Sequence, residues 1–237
     1  MENSSTAHSN MLSISKGSRS SGVTPGVARP FVKWVGGKRS ILNLLITRLP
    51  QQYGRYVEPF VGGGALFFTV LPENAYLSDI NKNLILTYMA IRDNVDEVIR
   101  LLEKHAAAHS KEYYYVAREN FGNTTNPIEI AALFIYLNKT CYNGLYRVNS
   151  KGKFNVPIGK YENPAILDPV NLHMVAKALQ GVTLSQSTFS DIVPQEKDFF
   201  YLDPPYHKTY SQYKAGGFNE NEHELLGEYC HQIDRVG

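Results

Sequence analysis

Asp203-Pro204-Pro205-Tyr206 sets a carboxylate, a main-chain carbonyl and an aromatic ring side by side, the groups needed to grip a planar amine. The two prolines forbid helix and lack N–H groups, so the carbonyls around them stay open as acceptors. The preceding Phe199-Phe200-Tyr201-Leu202 is a short apolar run suited to a buried strand, which would end on Asp203. Asp203 and the Pro204 carbonyl then accept the two hydrogens of an exocyclic amino group while Tyr206 stacks on its ring. A capped turn with no chemistry explains the same four residues taken alone.

A second constellation lies earlier in the chain. Glu58-Pro59-Phe60-Val61-Gly62-Gly63-Gly64-Ala65 has the form of a strand leading through a glycine turn into a helix. Glycines there let the backbone approach a ligand closely. Asp79 ends the next strand, where an acidic side chain meets ribose hydroxyls in dinucleotide folds. The full dinucleotide fingerprint fails, because Phe67 stands where its third glycine belongs. A glycine turn also serves simply to pack a helix on a sheet, and Asp79 also suits a cap for a helix starting at Ile80 or Asn81. Val35-Gly36-Gly37-Lys38-Arg39-Ser40 is not a phosphate loop. The first glycine of that motif would fall at Val32, and Arg39 occupies the Ser/Thr position.

These residues need a scaffold. Apolar spacing predicts helices over 40–49, 65–71, 83–92, 95–105, 112–119, 128–138, 169–179 and 220–233, and strands over 56–58, 75–79, 182–185 and up to 203. Strand, glycine turn, helix, strand is one βαβ unit, so the fold class is α/β with a parallel sheet. Between 93 and 168 the pattern turns helical and then rich in Tyr, Asn, Gly, Lys and Arg. That segment is expected to be an insertion between two halves of one domain, 30–92 and 169–237. Residues 1–29 are serine-rich without hydrophobic periodicity and read as a disordered tail with no signal-peptide core.

Composition narrows the class. The chain has 237 residues, 43% of them hydrophobic, and a net charge of +2. It can hold one large α/β core and is only mildly basic, which permits nucleic acid without requiring it. Cys141 and Cys230 are the two cysteines; they fit no metal spacing and suggest a reducing, cytoplasmic setting. No metal site and no membrane span is expected.

Taken together, Phe31-Val32-Lys33-Trp34-Val35-Gly36-Gly37-Lys38, then Glu58 to Gly64, then Ser78-Asp79-Ile80-Asn81, then Asp203-Pro204-Pro205-Tyr206 resemble the Dam-like (D12 class, alpha group) DNA adenine-N6 methyltransferases. The likeness spans about residues 30–233. It implies a Rossmann-like methyltransferase sheet that binds S-adenosyl-L-methionine, with a mainly helical target-recognition insertion. It also implies further C-terminal strands, which this sequence does not show. Carried over by position, Trp34 and Lys38 flank donor and target base. Phe60, Gly62 and Gly64 lie against S-adenosyl-L-methionine, and Asp79 takes its ribose. Asp191 and Ile192 match an Asp-Phe pair beside the donor's adenine, with Ile in place of Phe. Asp203, Pro204 and Tyr206 are the catalytic set.

Residues 137–161 look like the recognition hairpin of members that target GATC. That likeness assigns Lys139, Asn143, Leu145, Arg147, Pro157, Lys160 and Tyr161 to double-stranded DNA carrying a flipped adenine. The residue types agree: basic groups neutralise phosphates, an arginine fork pairs with guanine O6 and N7, and apolar groups touch a thymine methyl. Lys160 stands where relatives often carry Arg, which trades a bidentate fork for a point charge. The expected protein is a prokaryotic or phage DNA-associated methyltransferase, acting as a monomer. Two other readings stay open: the same pocket methylating cytosine N4, RNA adenine or a protein amide, and a relative that binds DNA or donor without turnover.

Overall fold

Arg55–Glu58 (β1), Ala75–Asp79 (β2), Thr183–Gln186 (β3) and Asp198–Phe200 (β4) pair in parallel in the order β3-β2-β1-β4. The structure, a computed structural model, describes residues 27–205 and 218–236. The chain runs from β1 outward through β2 to β3, then returns to pair β4 on the other side of β1. A reversal of that kind opens a crevice at the carboxyl ends of the strands, where open α/β sheets bind their ligands. Here it lies beyond the ends of β1 and β4.

Helices Leu42–Ile46 (α1), Phe67–Val70 (α2), Lys82–Ala107 (α3), Lys111–Phe121 (α4), Pro127–Thr140 (α5), Pro169–Ala178 (α6) and Glu220–Val236 (α7) complete the described chain. Their starts follow local chemistry. Asn81, Ser110, Asn126 and Asp168 each accept a main-chain N–H from the first turn of α3, α4, α5 and α6, satisfying donors that a helix leaves open. Asn94, with φ −144° and ψ 42°, kinks α3 between the two helical stretches expected from the sequence.

The core joins sheet and helices without a break. Tyr56 and Leu77 from the sheet, Leu84, Tyr88 and Ile91 from α3, and Phe134 and Leu137 from α5 are all buried in one cluster. Residues 130–138 of α5 are buried one after another, as an apolar helix enclosed on every side must be. Among the described residues no helix is long and apolar enough to cross a membrane.

Four expectations are corrected. Residues 28 and 29, assigned to the tail, belong to the fold: Ala28 is buried, and Asn171 clamps the Arg29 main chain with hydrogen bonds of 2.9 and 3.0 Å. The first helix covers 42–46 rather than 40–49, because Leu49 precedes Pro50 and no residue of α1 is buried. The α2 helix starts at Phe67 and ends at Val70, before Leu71 and Pro72. Finally, β4 stops at Phe200, although the Tyr201 N–H still bonds the Val57 carbonyl at 2.9 Å. It is a half-buried edge among the described strands, so Asp203 sits on the segment leaving the sheet.

Candidate active site

β1 delivers Glu58 and the glycine turn to the crevice, and β2 delivers Asp79 beside it. Gly62 adopts φ +47°. Its N–H donates to Asp79 Oδ2 at 3.1 Å, and its carbonyl accepts the Tyr88 hydroxyl at 3.0 Å. A Cβ there would lie 2.4 Å from Trp34 Cδ1, so Gly62 is required by the Trp34 ring as well as by its backbone. Asp79 Oδ1 accepts the Asn81 N–H at 2.9 Å. The cap of α3 is therefore Asn81, and Asp79 instead ties the glycine turn to the start of that helix.

The turn borders a cavity of about 530 Å³, within the range of small-ligand sites. Trp34, Lys38, Phe60, Gly62, Gly64 and Asp79 line it, and so do Asp203 and Pro204. Lys38 Nζ lies 2.6 Å from Asp203 Oδ1, in an ion pair largely shielded from solvent. The donor-side and chemistry-side residues expected from the sequence thus face one space. Tyr206 lies outside the described residues.

Among the lining residues not singled out from the sequence, Glu58, Phe189 and Lys33 bear on the chemistry. Glu58 is 3% exposed and accepts the Tyr56 hydroxyl at 2.7 Å. Burial pushes its carboxyl up to about 8, with the charges of Asp203 and Asp79 adding to the effect. Burial likewise lifts Asp79 to about 6, against the N–H bonds from Asn81 and Gly62. The only signal for Glu58 was a carboxylate closing an otherwise apolar strand. Phe189 also lines the cavity, and its ring centroid is 5.6 Å from that of Phe60. Lys33 lines it too, with its Nζ 4.1 Å from the centre of the Tyr161 ring.

Asp191 and Ile192 are not brought to the cavity. Asp191 Oδ2 accepts from the Thr188 N–H at 2.8 Å and the Thr188 hydroxyl at 2.7 Å, closing a 3-10 turn over Phe189–Asp191. Those bonds hold its carboxyl below the usual range. Ile192 is buried, and its carbonyl accepts the Tyr229 hydroxyl of α7 at 2.7 Å. The turn therefore presents Phe189, three positions earlier than the sequence match indicated.

Residues 141–158 form a hairpin, with antiparallel bridges Cys141 to Ile158 and Val148 to Phe154. Arg147, Asn143, Pro157, Lys160 and Tyr161 are exposed, and Leu145 is half-buried. Asn155 engages two of the three guanidinium nitrogens of Arg147, at 2.7 Å to Nε and 3.4 Å to Nη2. The hairpin is fastened to the cavity wall by Asn138, whose amide bonds the N–H and the carbonyl of Lys33 at 2.7 and 2.8 Å and the Gly144 carbonyl at 3.0 Å. Lys139, expected on the DNA side, is itself a lining residue of the cavity.

The comparisons with known proteins agree with this arrangement. The profile of the D12 class N6 adenine-specific DNA methyltransferase family matches residues 34–236. The chain is 39% identical to a Type II methyltransferase, M.MjaIII, of Methanocaldococcus jannaschii, over 88% of this chain and 81% of that one. It is 37% identical to M1.LlaDCHI of Lactococcus lactis subsp. cremoris, covering 88% and 78%. It is 34% identical to a DNA adenine methylase of Haemophilus influenzae, covering 83% and 70%. With a parallel sheet that carries the glycine turn, Asp79 and Asp203 to one cavity, the chain belongs to the D12 class of N6 adenine-specific DNA methyltransferases.

Proposed function

We propose that this chain transfers a methyl group from S-adenosyl-L-methionine to N6 of an adenine swung out of duplex DNA, at GATC sequences. The observation that carries the reading is the shared cavity: Asp203 and Pro204 line the same space as Gly62 and Asp79. The residues present fit the donor. Glu58 and Asp79 are buried carboxyls with raised affinity for protons, so a cationic ligand gives them the counter-charge they lack. Ser187 Oγ, also on the wall, is enclosed and has no protein partner among the described residues. Phe189 and Phe60 offer apolar faces to an adenine ring.

When bound, S-adenosyl-L-methionine supplies a methyl on a positively charged sulfur, which keeps the C–S bonding electrons and becomes a neutral thioether as the methyl leaves. An adenine N6 inside a duplex is out of reach, so the base must leave the stack. Asp203 Oδ and the Pro204 carbonyl accept its two hydrogens, directing the nitrogen lone pair away from the ring. They also stabilise the positive charge that develops there. N6 gives up one proton as the new bond forms, and the Asp203 carboxylate is placed to receive it. Holding both partners in line contributes roughly 7–11 kcal/mol in well-oriented cases. Residues 93–168 act as the recognition region, with Leu145, Arg147 and Pro157 in the positions that resemble the GATC-reading set.

The test is incubation with donor and a GATC duplex, followed by a nuclease that GATC adenine methylation blocks. Protection is expected, with N6-methyladenine as the product on nucleoside chromatography. Full cutting alongside N6-methyladenine would reject only the target sequence. Full cutting without any methylated nucleoside, from folded donor-bound protein, would reject turnover.

A further inference from the structure

We infer that Tyr146 is a positioning residue that couples base reading by the hairpin to the donor side of the cavity through Trp34. The inference rests on the methyltransferase reading above and adds a route by which the DNA sequence controls the rate.

Tyr146 stands between Leu145 and Arg147, the two residues assigned to base edges. Leu145 is extended, at φ −69° and ψ 146°, and the ladder closes again at the Asn155 N–H to Arg147 carbonyl bond of 3.1 Å. Successive side chains of an extended strand point to opposite faces. Tyr146 accordingly faces inward while Arg147 is exposed. Its ring is enclosed by three others: Trp34 with centroids 6.2 Å apart and planes 25° apart, Phe134 at 5.3 Å and Phe154 at 5.6 Å.

Two lines of contact then run from Tyr146 to one glycine. Through its ring, Tyr146 abuts Trp34, whose indole fills the space a Cβ of Gly62 would need. Through its hydroxyl, it accepts Asn83 Nδ2 at 3.4 Å, in the first turn of α3. The N-cap of that helix is held by Asp79 Oδ1, and Asp79 Oδ2 holds the Gly62 N–H. Close-packed rings do not deform continuously, so a shift of the strand at Leu145 and Arg147 must be taken up by Trp34 at the cavity wall. The right base beneath Arg147 then shifts Trp34, whereas a wrong base leaves it as in the free protein and transfer stays slow even when the DNA is bound.

Trp34 is the chain's one tryptophan, so its emission reports this contact directly. The full chain is titrated with a GATC duplex and with a scrambled duplex of equal length, binding being followed separately by anisotropy of a labelled strand. A Trp34 emission change is expected with GATC and not with the scrambled duplex. In Tyr146→Leu, GATC affinity and KM for DNA are expected to hold near wild type. The emission change should be lost, and kcat should fall about ten-fold, inside the roughly 5–150-fold span of coupling between sites. Tyr146→Phe keeps the ring and is expected to restore both readouts. Should Tyr146→Leu not fold, Tyr146→Met deletes the ring with less loss of apolar volume and is read the same way. Equal emission changes for the two duplexes in wild type overturn the proposal. So does a ring-deleted variant with wild-type emission and kcat. A wild-type protein that methylates no adenine fails the functional reading instead, whereas methylation without a sequence-dependent Trp34 signal fails the coupling alone.

Discussion

Lys38 Nζ sits 2.6 Å from Asp203 Oδ1, so a cation already occupies the carboxylate proposed to accept an adenine hydrogen. Lys38 also donates to the Gly36 carbonyl at 2.7 Å, which anchors it in its own turn. The pair ties Asp203 to the Lys38 turn at the cavity wall.

Removing the carboxylate should therefore separate chemistry from binding. Asp203→Ala is expected to lower kcat by at least about 10²–10³-fold, the scale seen when a charge-stabilising group is deleted. Donor binding should be largely kept. Lys38→Met should act differently: Asp203 loses its guide and the cavity loses a wall, so both kcat and donor affinity fall. Single-turnover rates and calorimetric donor titration check both. An Asp203→Ala variant with wild-type turnover would remove Asp203 from the mechanism.

Glu58 makes the protein's stability depend on pH. Its carboxyl stands near 8 in the fold against an ordinary 4.5, because burial penalises the charged form. The folded state thus binds more protons than the unfolded one between those values. This contribution is fully present below about 4.5 and is lost as pH rises toward 8, at up to about 1.4 kcal/mol per pH unit. Asp79 adds the same sign between 3.8 and about 6. Ligand-free protein should melt at lower temperature as pH rises through this window, and Glu58→Gln should flatten the slope. Donor affinity should move the opposite way, rising with pH as Glu58 ionises beside a cation. Parallel slopes in wild type and Glu58→Gln would show that Glu58 is not the titrating group.

Gly62 and Gly181 allow crowding to be told from backbone strain. Both have positive φ, +47° and +77°, but a Cβ at Gly181 meets nothing within 4 Å while one at Gly62 collides with Trp34. Gly181→Ala is expected to cost about 1–2 kcal/mol from the left-handed backbone alone. Gly62→Ala should cost about 1–3 kcal/mol more from overpacking, and should shift Trp34 emission. Denaturant melts and fluorescence decide; equal costs would mean that the Trp34 ring yields freely.

Phe189 rather than Ile192 should govern the donor's base. Phe189→Ala is expected to weaken donor binding, along with a stability loss of about 3–5 kcal/mol typical of a buried aromatic. Asp191→Ala should leave donor affinity near wild type once the protein is folded, since its oxygens serve Thr188. Isothermal titration of the two variants at a temperature where both are folded tests the assignment. A larger affinity loss in Asp191→Ala would restore the original sequence match.

The family and the local motifs were legible in the residues alone. Glycines at 62 and 64, an acid closing each of two strands and the Asp-Pro-Pro-Tyr run are local patterns, set by backbone freedom, alternation and missing N–H groups. The apolar period breaks between 92 and 95, which read as two helices; the structure joins them into one, α3, kinked at Asn94. Which of these motifs meet depends on strand order and packing. Residue spacing does not say that β4 pairs with β1 instead of β3, yet only that order carries Asp203 to the glycine turn. Nor does it say that Glu58 will be buried beside two other acids, because a carboxyl's proton affinity is set by neighbours distant in the chain. The displacement from Ile192 to Phe189 has the same origin: a two-bond cap by Asp191 turns the segment, and the side chain that reaches the cavity follows from that turn.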